Sequence, residues 1–409
     1  MFACVAALLV ACTGSTPAQP HAPTLSDARR VLASYAGAIV TGNQQRLFAD
    51  LDPQSSRFRA QQRVDFASLR HIPLRTWHYG IVGVIRDPAA NKAAAHRYAT
   101  QVLLVHVTLF YALRGVDPVP SRHDQYLVFT ERDGHTYLAG DDALTGETIT
   151  SWVGPWRYGP LVAVSGARSL VLGPPGEDAA LQRLASEIDA AIASVSSVWG
   201  TGWSQRVAAI VPADATTFTA LTGAGARESS AAAVTDGIDS GTGRPYGQRL
   251  VINPAPFAAL TPLGRRIVLT HEITHLASAA VTADITPRWL AEGLAEYVAN
   301  LHTGQSVATA AAELRAQIAK GRLPTTLPSD GAFGSSGSVL AAQYEQAWLA
   351  CRLIATRAGQ SGLLRFYRAV GTALAPRAVA VASAFRSVLH ETQSAFVGQW
   401  RAYLRTQLP

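Results

Sequence analysis

The sequence predicts an α+β protein in two parts: a small N-terminal α+β domain, then a larger region in which an α/β subdomain leads into a mostly helical one. Three observations predict this. The chain has 409 residues, more than one hydrophobic core usually serves, so two domains are expected. Strand-like segments crowd between residues 76 and 140, whereas helical spacing holds at 25–53 and again from Leu260 onward. Hydrophobic residues make up 48% and charged ones only 15%, a composition that argues for folded domains and against disorder. The formal charge of +7 is spread along the chain without a Lys/Arg block, so nucleic acid is not an expected partner. Weak attraction to an anionic cell surface is compatible with that charge.

The first residues, MFACVAALLVACTGSTPAQPHAPT, hold an apolar run too short to cross a bilayer. Leu9-Val10-Ala11-Cys12 resembles the lipobox of bacterial lipoprotein signal peptides. The resemblance implies that residues 1–24 are a signal peptide and linker, that Cys12 carries the lipid, and that the chain is anchored to a membrane on its extracytoplasmic side. No Lys or Arg precedes the run, which departs from that pattern and leads to the expectation of a start upstream of Met1. With Cys4 removed and Cys12 lipidated, only Cys351 remains, and it is expected to be a buried structural thiol outside any disulfide framework.

From Leu25 to Pro53 the spacing is helical, with Ser26 the expected N-cap and Gly42-Asn43 a break. Strands are expected at 76–85, at 97–113 and in a hairpin over 125–140 with Asp133-Gly134 at its turn. This order, covering residues 25–145, resembles the cone-shaped nuclear transport factor 2-like fold, which by itself assigns no role. Its histidines, His71, His78, His96, His106, His123 and His135, lack metal-ligand spacing and are expected to be structural or solvent-exposed. Residues 141–165 carry two tryptophans and are expected to form an ordered connector.

The second region starts with a strand at 168–173, a helix ending at Gly200, a strand around 205–214 and a short helix from Ala215. A Gly/Ser-rich stretch (223–248) precedes the strand "RLVINP". From Leu260 the pattern is helical apart from a loop at 321–338.

The chemistry is concentrated where that helical part begins. Thr261-Pro262 is a strong helix start, a hydroxyl N-cap followed by a proline whose missing N–H does no harm. The helix that follows contains "LTHEITHLAS". Four residues rise about 6 Å and pass a full turn by about 40°, which aims His271 and His275 at one point. Glu272 projects beside them, where it reaches a zinc-bound water without ligating the ion. Further on, "TPRWLAEGLAEYVAN" starts a second helix at Pro287 and sets Glu292 among the apolar positions Trp289, Leu290, Leu294, Tyr297 and Val298. A carboxylate there is costly unless a positive partner meets it, and a zinc ion on His271 and His275 would. These residues alone leave two alternatives open: histidines hydrogen-bonded in a core, and a Glu292 facing solvent beside the stripe.

His-Glu-x-x-His followed by Trp289-Leu290-Ala291-Glu292-Gly293-Leu294-Ala295 resembles the gluzincin zinc metallopeptidases. Within that group the chain from 165 to 409 is most similar to the peptidase MA-like domains of exported bacterial proteins. The resemblance implies Zn2+ as cofactor, Glu292 as third ligand, Glu272 as general base and Glu296 as the carboxylate that orients a ligating histidine. The gap from His275 to Glu292 is shorter than in those relatives, which keeps Glu296 as the competing ligand. The resemblance also gives Tyr344, at the start of "AAQYEQAWLACRLIATRAG", the role of oxyanion donor, with Tyr297 its competitor. An edge strand that receives an extended peptide is expected at 229–237.

The sequence thus predicts a zinc metallopeptidase (hydrolase) acting on a peptide or protein substrate at a bacterial cell surface, with endopeptidase and exopeptidase action both open. Two rivals stand beside it: a non-catalytic cell-envelope binding or scaffold lipoprotein, and a zinc hydrolase of a non-peptide amide. The base Glu272 argues against the first, because a purely structural zinc has no use for it.

Overall fold

A computed structural model describes residues 22–143, 151–223, 233–238 and 246–409. The lipidation expected at Cys12 lies outside the described residues. By compactness the chain divides into two units, one within 1–61, 78–109 and 123–152, the other within 62–77, 110–122 and 153–409. Helix and sheet are mixed throughout, as an α+β protein requires.

In chain order the first part forms α1 (Leu25–Thr41), α2 (Gln44–Ala49), α3 (Ser56–Leu69), β1 (Leu74–Val84), α4 (Pro88–Tyr98), β2 (Val102–Leu113), β3 (Ser121–Arg132) and β4 (His135–Gly140). The strands make one sheet in the order β1-β2-β3-β4. The N-cap of α1 is Thr24 rather than Ser26. A capping box needs an acid three residues after the cap, and Asp27 stands there: the Thr24 hydroxyl accepts the Asp27 N–H, and the Asp27 carboxylate accepts the Thr24 N–H. The turn between β3 and β4 has positive φ at both Asp133 (52°) and Gly134 (80°), as a two-residue hairpin demands. Residues 97–101, expected in a strand, do not form one. Arg97 and Tyr98 end α4, which Asp87 caps through the N–H groups of Ala89 and Ala90 with Pro88 in its first turn. The Ala-rich sequence of α4 lacks an apolar stripe, so periodicity gave no sign of it.

The second part forms β5 (Val162–Ser165), β6 (Ser169–Gly173), α5 (Asp178–Trp199), β7 (Val207–Ile210), α6 (Ala215–Thr222), β8 (Ala233–Ile238), β9 (Tyr246–Ile252), α7 (Pro254–Ala258), α8 (Pro262–Ser278), α9 (Arg288–Asn300), α10 (Val307–Ala310), α11 (Ala312–Ala319), α12 (Gly337–Gly371), α13 (Arg377–Ala384) and α14 (Gln393–Gln407). The sheet order is β5-β6-β7-β9-β8. β6, β7 and β9 run parallel, and the outer strands β5 and β8 pair antiparallel to their neighbours. The edge strand expected at 229–237 appears as β8, in register with β9 from Ala233 opposite Ile252 onward; residues 229–232 lie outside the described ones. The expected connector at 141–165 ends in β5, a strand its Gly- and Pro-rich surroundings obscured.

The core of this unit is built on helical stripes. Leu181, Leu184, Ile188, Ile192, Val195 and Trp199 of α5 are buried together with Leu269 and Ile273 of α8, Trp289, Leu290 and Leu294 of α9, and Leu349 and Ile354 of α12. Each large aliphatic chain buried this way contributes about 1.5–3 kcal/mol. Stretches that precede β5 belong to the same unit. Asp117 takes two 2.7 Å hydrogen bonds from the guanidinium of Arg249 on β9, and Trp77, Tyr111 and Trp156 pack ring against ring at 5.0–6.1 Å.

Candidate metal centre

Two helices and the loop between them bring the predicted ligands together. α8 starts where Thr261 accepts the Gly264 N–H and Pro262 occupies the first turn. Nine residues later His271 and His275 share a face, their rings 4.8 Å apart. α9 starts after Pro287, where Asp330 accepts the Arg288 main-chain N–H at 2.9 Å. Gly293 then lets α9 lie close on α12: a Cβ at that position would stand 2.4 Å from the Ala347 carbonyl oxygen and 2.8 Å from Cys351 Sγ. The sulfur-bearing neighbour is the buried thiol the sequence predicts, and burial pushes its pKa well up.

The packing of α8 on α9 places Glu292 Oε2 3.3 Å from His271 Nε2 and 3.2 Å from His275 Nε2, with the two nitrogens 3.1 Å apart. Among the described residues, these three form the one group of His, Cys, Asp and Glu able to share an ion. The fit to zinc is testable on the triangle itself. A tetrahedral ion with bonds of about 2.0–2.1 Å holds its ligand atoms about 3.3–3.4 Å apart, so the triangle needs almost no adjustment. Glu292 does not face solvent, since its side chain is 13% exposed. Glu296, one turn on, does not join the triangle. Its Oε1 lies 3.0 Å from His271 Nδ1, and its Oε2 accepts from the Asn300 amide. A carboxylate on Nδ1 assigns the proton to that nitrogen and leaves Nε2 its lone pair.

The electrostatics agree with the geometry. Burial opposes charge on Glu292, yet the charge of His275 and the hydrogen bonds of both histidines hold its pKa well below the usual carboxylate range. Burial likewise opposes a charged His271, and the hydrogen bonds to Glu292 and Glu296, with the charges of Glu296 and Glu272, outweigh it and raise its pKa well above the ordinary value. The centre thus asks for positive charge.

Tyr344 lies on α12 two turns from its start, not at the helix start as expected, because the helix already begins at Gly337. Its ring meets His271 edge-on at 6.0 Å and Phe333 at 5.4 Å. Burial, with the charges of Glu292, Glu272 and Glu296, pushes its pKa far up against the opposing pull of Arg288, so the phenol keeps its proton. Tyr297 is buried within the helical core. Glu272, the residue after His271, is half-buried and its charge acts on both His271 and Tyr344.

Sequence reasoning missed Arg288, Phe333 and Glu345. The guanidinium of Arg288 lies 3.9 Å from Glu292 Oε1 and over the Phe333 ring. Glu345 accepts the N–H groups of Leu314 (2.5 Å) and Glu313 (3.3 Å) at the start of α11. Arg288 was visible as the residue four before Glu292; Phe333 sits in a loop and Glu345 answers to a distant helix, so neither had a local signal.

No family model matches the chain, and no curated protein does. Among solved structures it matches native yeast LTA4 hydrolase with 13% identity and a TM-score of 0.35, over 67% of this chain and 43% of that one. The chain therefore spans less than half the length of that structure. The His/His/Glu group, not this likeness, carries the functional reading.

Proposed function

We propose that the chain is a zinc-dependent metallopeptidase in which His271, His275 and Glu292 hold the metal and Glu272 is the general base. The observation that carries the reading is the triangle of donor atoms 3.1–3.3 Å on a side, with a carboxylate at the adjacent helical position. Zinc bound there supplies Lewis acidity toward water and toward a carbonyl oxygen. Glu272 takes the proton of the attacking water and hands it to the leaving amine. Tyr344, kept protonated by its surroundings, donates its O–H to the oxygen on which negative charge develops. Glu296 holds the His271 ring in the orientation that presents Nε2. β8, the last strand of its sheet among the described residues and packed beside α8, offers backbone groups to an extended peptide.

The helix-then-sheet order of the first part supports the likeness to the nuclear transport factor 2-like fold. The lipobox-like Leu9-Val10-Ala11-Cys12 supports a lipid-anchored, extracytoplasmic chain working on peptide or protein substrates at a membrane surface. The test is metal analysis of the purified chain together with a quenched peptide library presented to wild type and Glu272→Gln. Stoichiometric zinc in both, with cleavage about 10³-fold slower in the variant, is expected. Zinc without cleavage of any peptide would favour the scaffold or the non-peptide amide reading, and absence of zinc would overturn the peptidase reading.

A further inference from the structure

Arg288 differs from the paired arginines of its unit. Arg249 commits its guanidinium to Asp117, Arg265 to Glu187, and Arg377 to Asp330 and the Asp284 carbonyl. The Arg288 side chain is 47% exposed and stands 3.9 Å from Glu292 Oε1, beyond hydrogen-bond distance, while its charge also acts on Asp330 and Tyr344. That oxygen is the one turned away from the histidines, which face Oε2. Among the described residues no acceptor engages the guanidinium, so its five N–H donors are available. Yet the group is held in place: the main-chain N–H is fixed by Asp330, and the guanidinium lies 5.4 Å over the Phe333 ring that also packs on Tyr344. A positioned cation with unengaged donors therefore stands beside a ligand carboxylate and the oxyanion donor.

A donor-rich cavity also lies along α12. Gln343, the neighbour of Tyr344, and Gln346 on the same helix line an open cavity of about 320 Å³ with Arg322, Ser329 and Ala332. Arg288, Phe333 and Tyr344 are not among its lining residues. Its lining holds amide, hydroxyl and guanidinium groups and no carboxylate, which suits an acceptor-rich ligand.

We propose that Arg288 binds a carboxylate of the substrate close to the scissile bond, so that the enzyme selects peptides with an acidic side chain or a free C-terminus there. The inference rests on the peptidase reading. The guanidinium offers two parallel N–H donors that match a carboxylate edge to edge, a geometry an ammonium cannot reproduce.

The test uses the zinc-loaded chain and quenched peptide libraries made in four forms, with Glu or Gln at a fixed position and with a C-terminal acid or amide. Wild type is expected to favour one acid form over its amide counterpart by about 10- to 100-fold in kcat/KM, carried mainly by KM. Preference at the fixed Glu identifies a side-chain carboxylate; preference at the C-terminal acid identifies a carboxypeptidase-like mode. In Arg288→Gln that ratio is expected to fall to within about threefold of unity, with Arg288→Lys intermediate and Arg288→Glu favouring the amide. Fluorescence titration of zinc-loaded Glu272→Gln with the same peptides, with and without Arg288→Gln, reads the preference without turnover. Equal cleavage and binding of acid and amide forms by wild type, or an unchanged ratio in Arg288→Gln, overturns this inference and leaves the peptidase standing. A chain that takes up no zinc overturns the peptidase reading and this inference with it.

Discussion

In the second unit Asp117 and Arg249 bury one charge of each sign, whereas the cluster at His271 gathers Glu272, Glu292 and Glu296 around two imidazoles. The first group closes: two 2.7 Å hydrogen bonds pair both carboxylate oxygens with one guanidinium, and burial of the pair needs no third party. The second does not close. Neutral histidines bring no positive charge and Arg288 stands 3.9 Å from one oxygen of Glu292 alone, so three carboxylates gathered there favour the uptake of protons or a metal ion. The two clusters share burial and carboxylates and differ in whether their charges cancel. That difference separates a structural ion pair from a site that binds something.

Breaking the closed pair should be the costlier change to the fold. Arg249→Met strands the Asp117 carboxylate and is expected to lower stability by about 3–5 kcal/mol in denaturant unfolding, while Asp117→Leu together with Arg249→Met recovers most of that loss. Zinc content should be the same in both. Tyr344→Phe tests the open cluster by function: kcat is expected to drop about 10²- to 10³-fold with KM and bound zinc little altered. A rise in KM alone would instead assign Tyr344 to substrate packing. Glu296→Gln should weaken zinc binding about 10- to 100-fold in a chelator competition; an unchanged affinity would mean the Nδ1 contact does not tune His271.

The smallest effect is expected at Glu345, half-buried between α11 and α12, where burial raises the carboxyl to about 7 against the pull of the Leu314 and Glu313 N–H groups. Because this pKa is raised on folding, its contribution is fully present below about pH 4.5 and is lost as pH rises toward 7. Glu345→Gln should remove that slope and raise the melting temperature at pH 8, by an amount equivalent to at most about 1 kcal/mol once solvent screening is allowed for. A stability that still falls between pH 4.5 and 7 in the variant would place the titration elsewhere.

What could be read in advance follows the range of the interactions. The i, i+4 histidines, the Thr261-Pro262 start and the Asp133-Gly134 turn are decided within a few residues, and the chain carries their signals locally. Glu292 was legible as an acid among apolar neighbours, and Gly293 beside it is explained by the close approach of Ala347. The pairing of Asp117 with Arg249 spans 132 residues and has no local pattern, so the membership of 110–122 in the second unit was not visible. The cap at Thr24 was missed for a different reason: Ser26 and Thr24 are equally good caps alone, and only the acid at Asp27 decides between them.

Zinc in the open cluster is read most directly from metal content, by mass spectrometry after dialysis of the wild-type chain and of a variant with both His271→Ala and His275→Ala. One zinc per wild-type chain and almost none in the variant is expected, with the Asp117–Arg249 pair and the fold intact in both. A wild-type chain without zinc, or a variant that keeps it, would mean that His271 and His275 do not hold the ion.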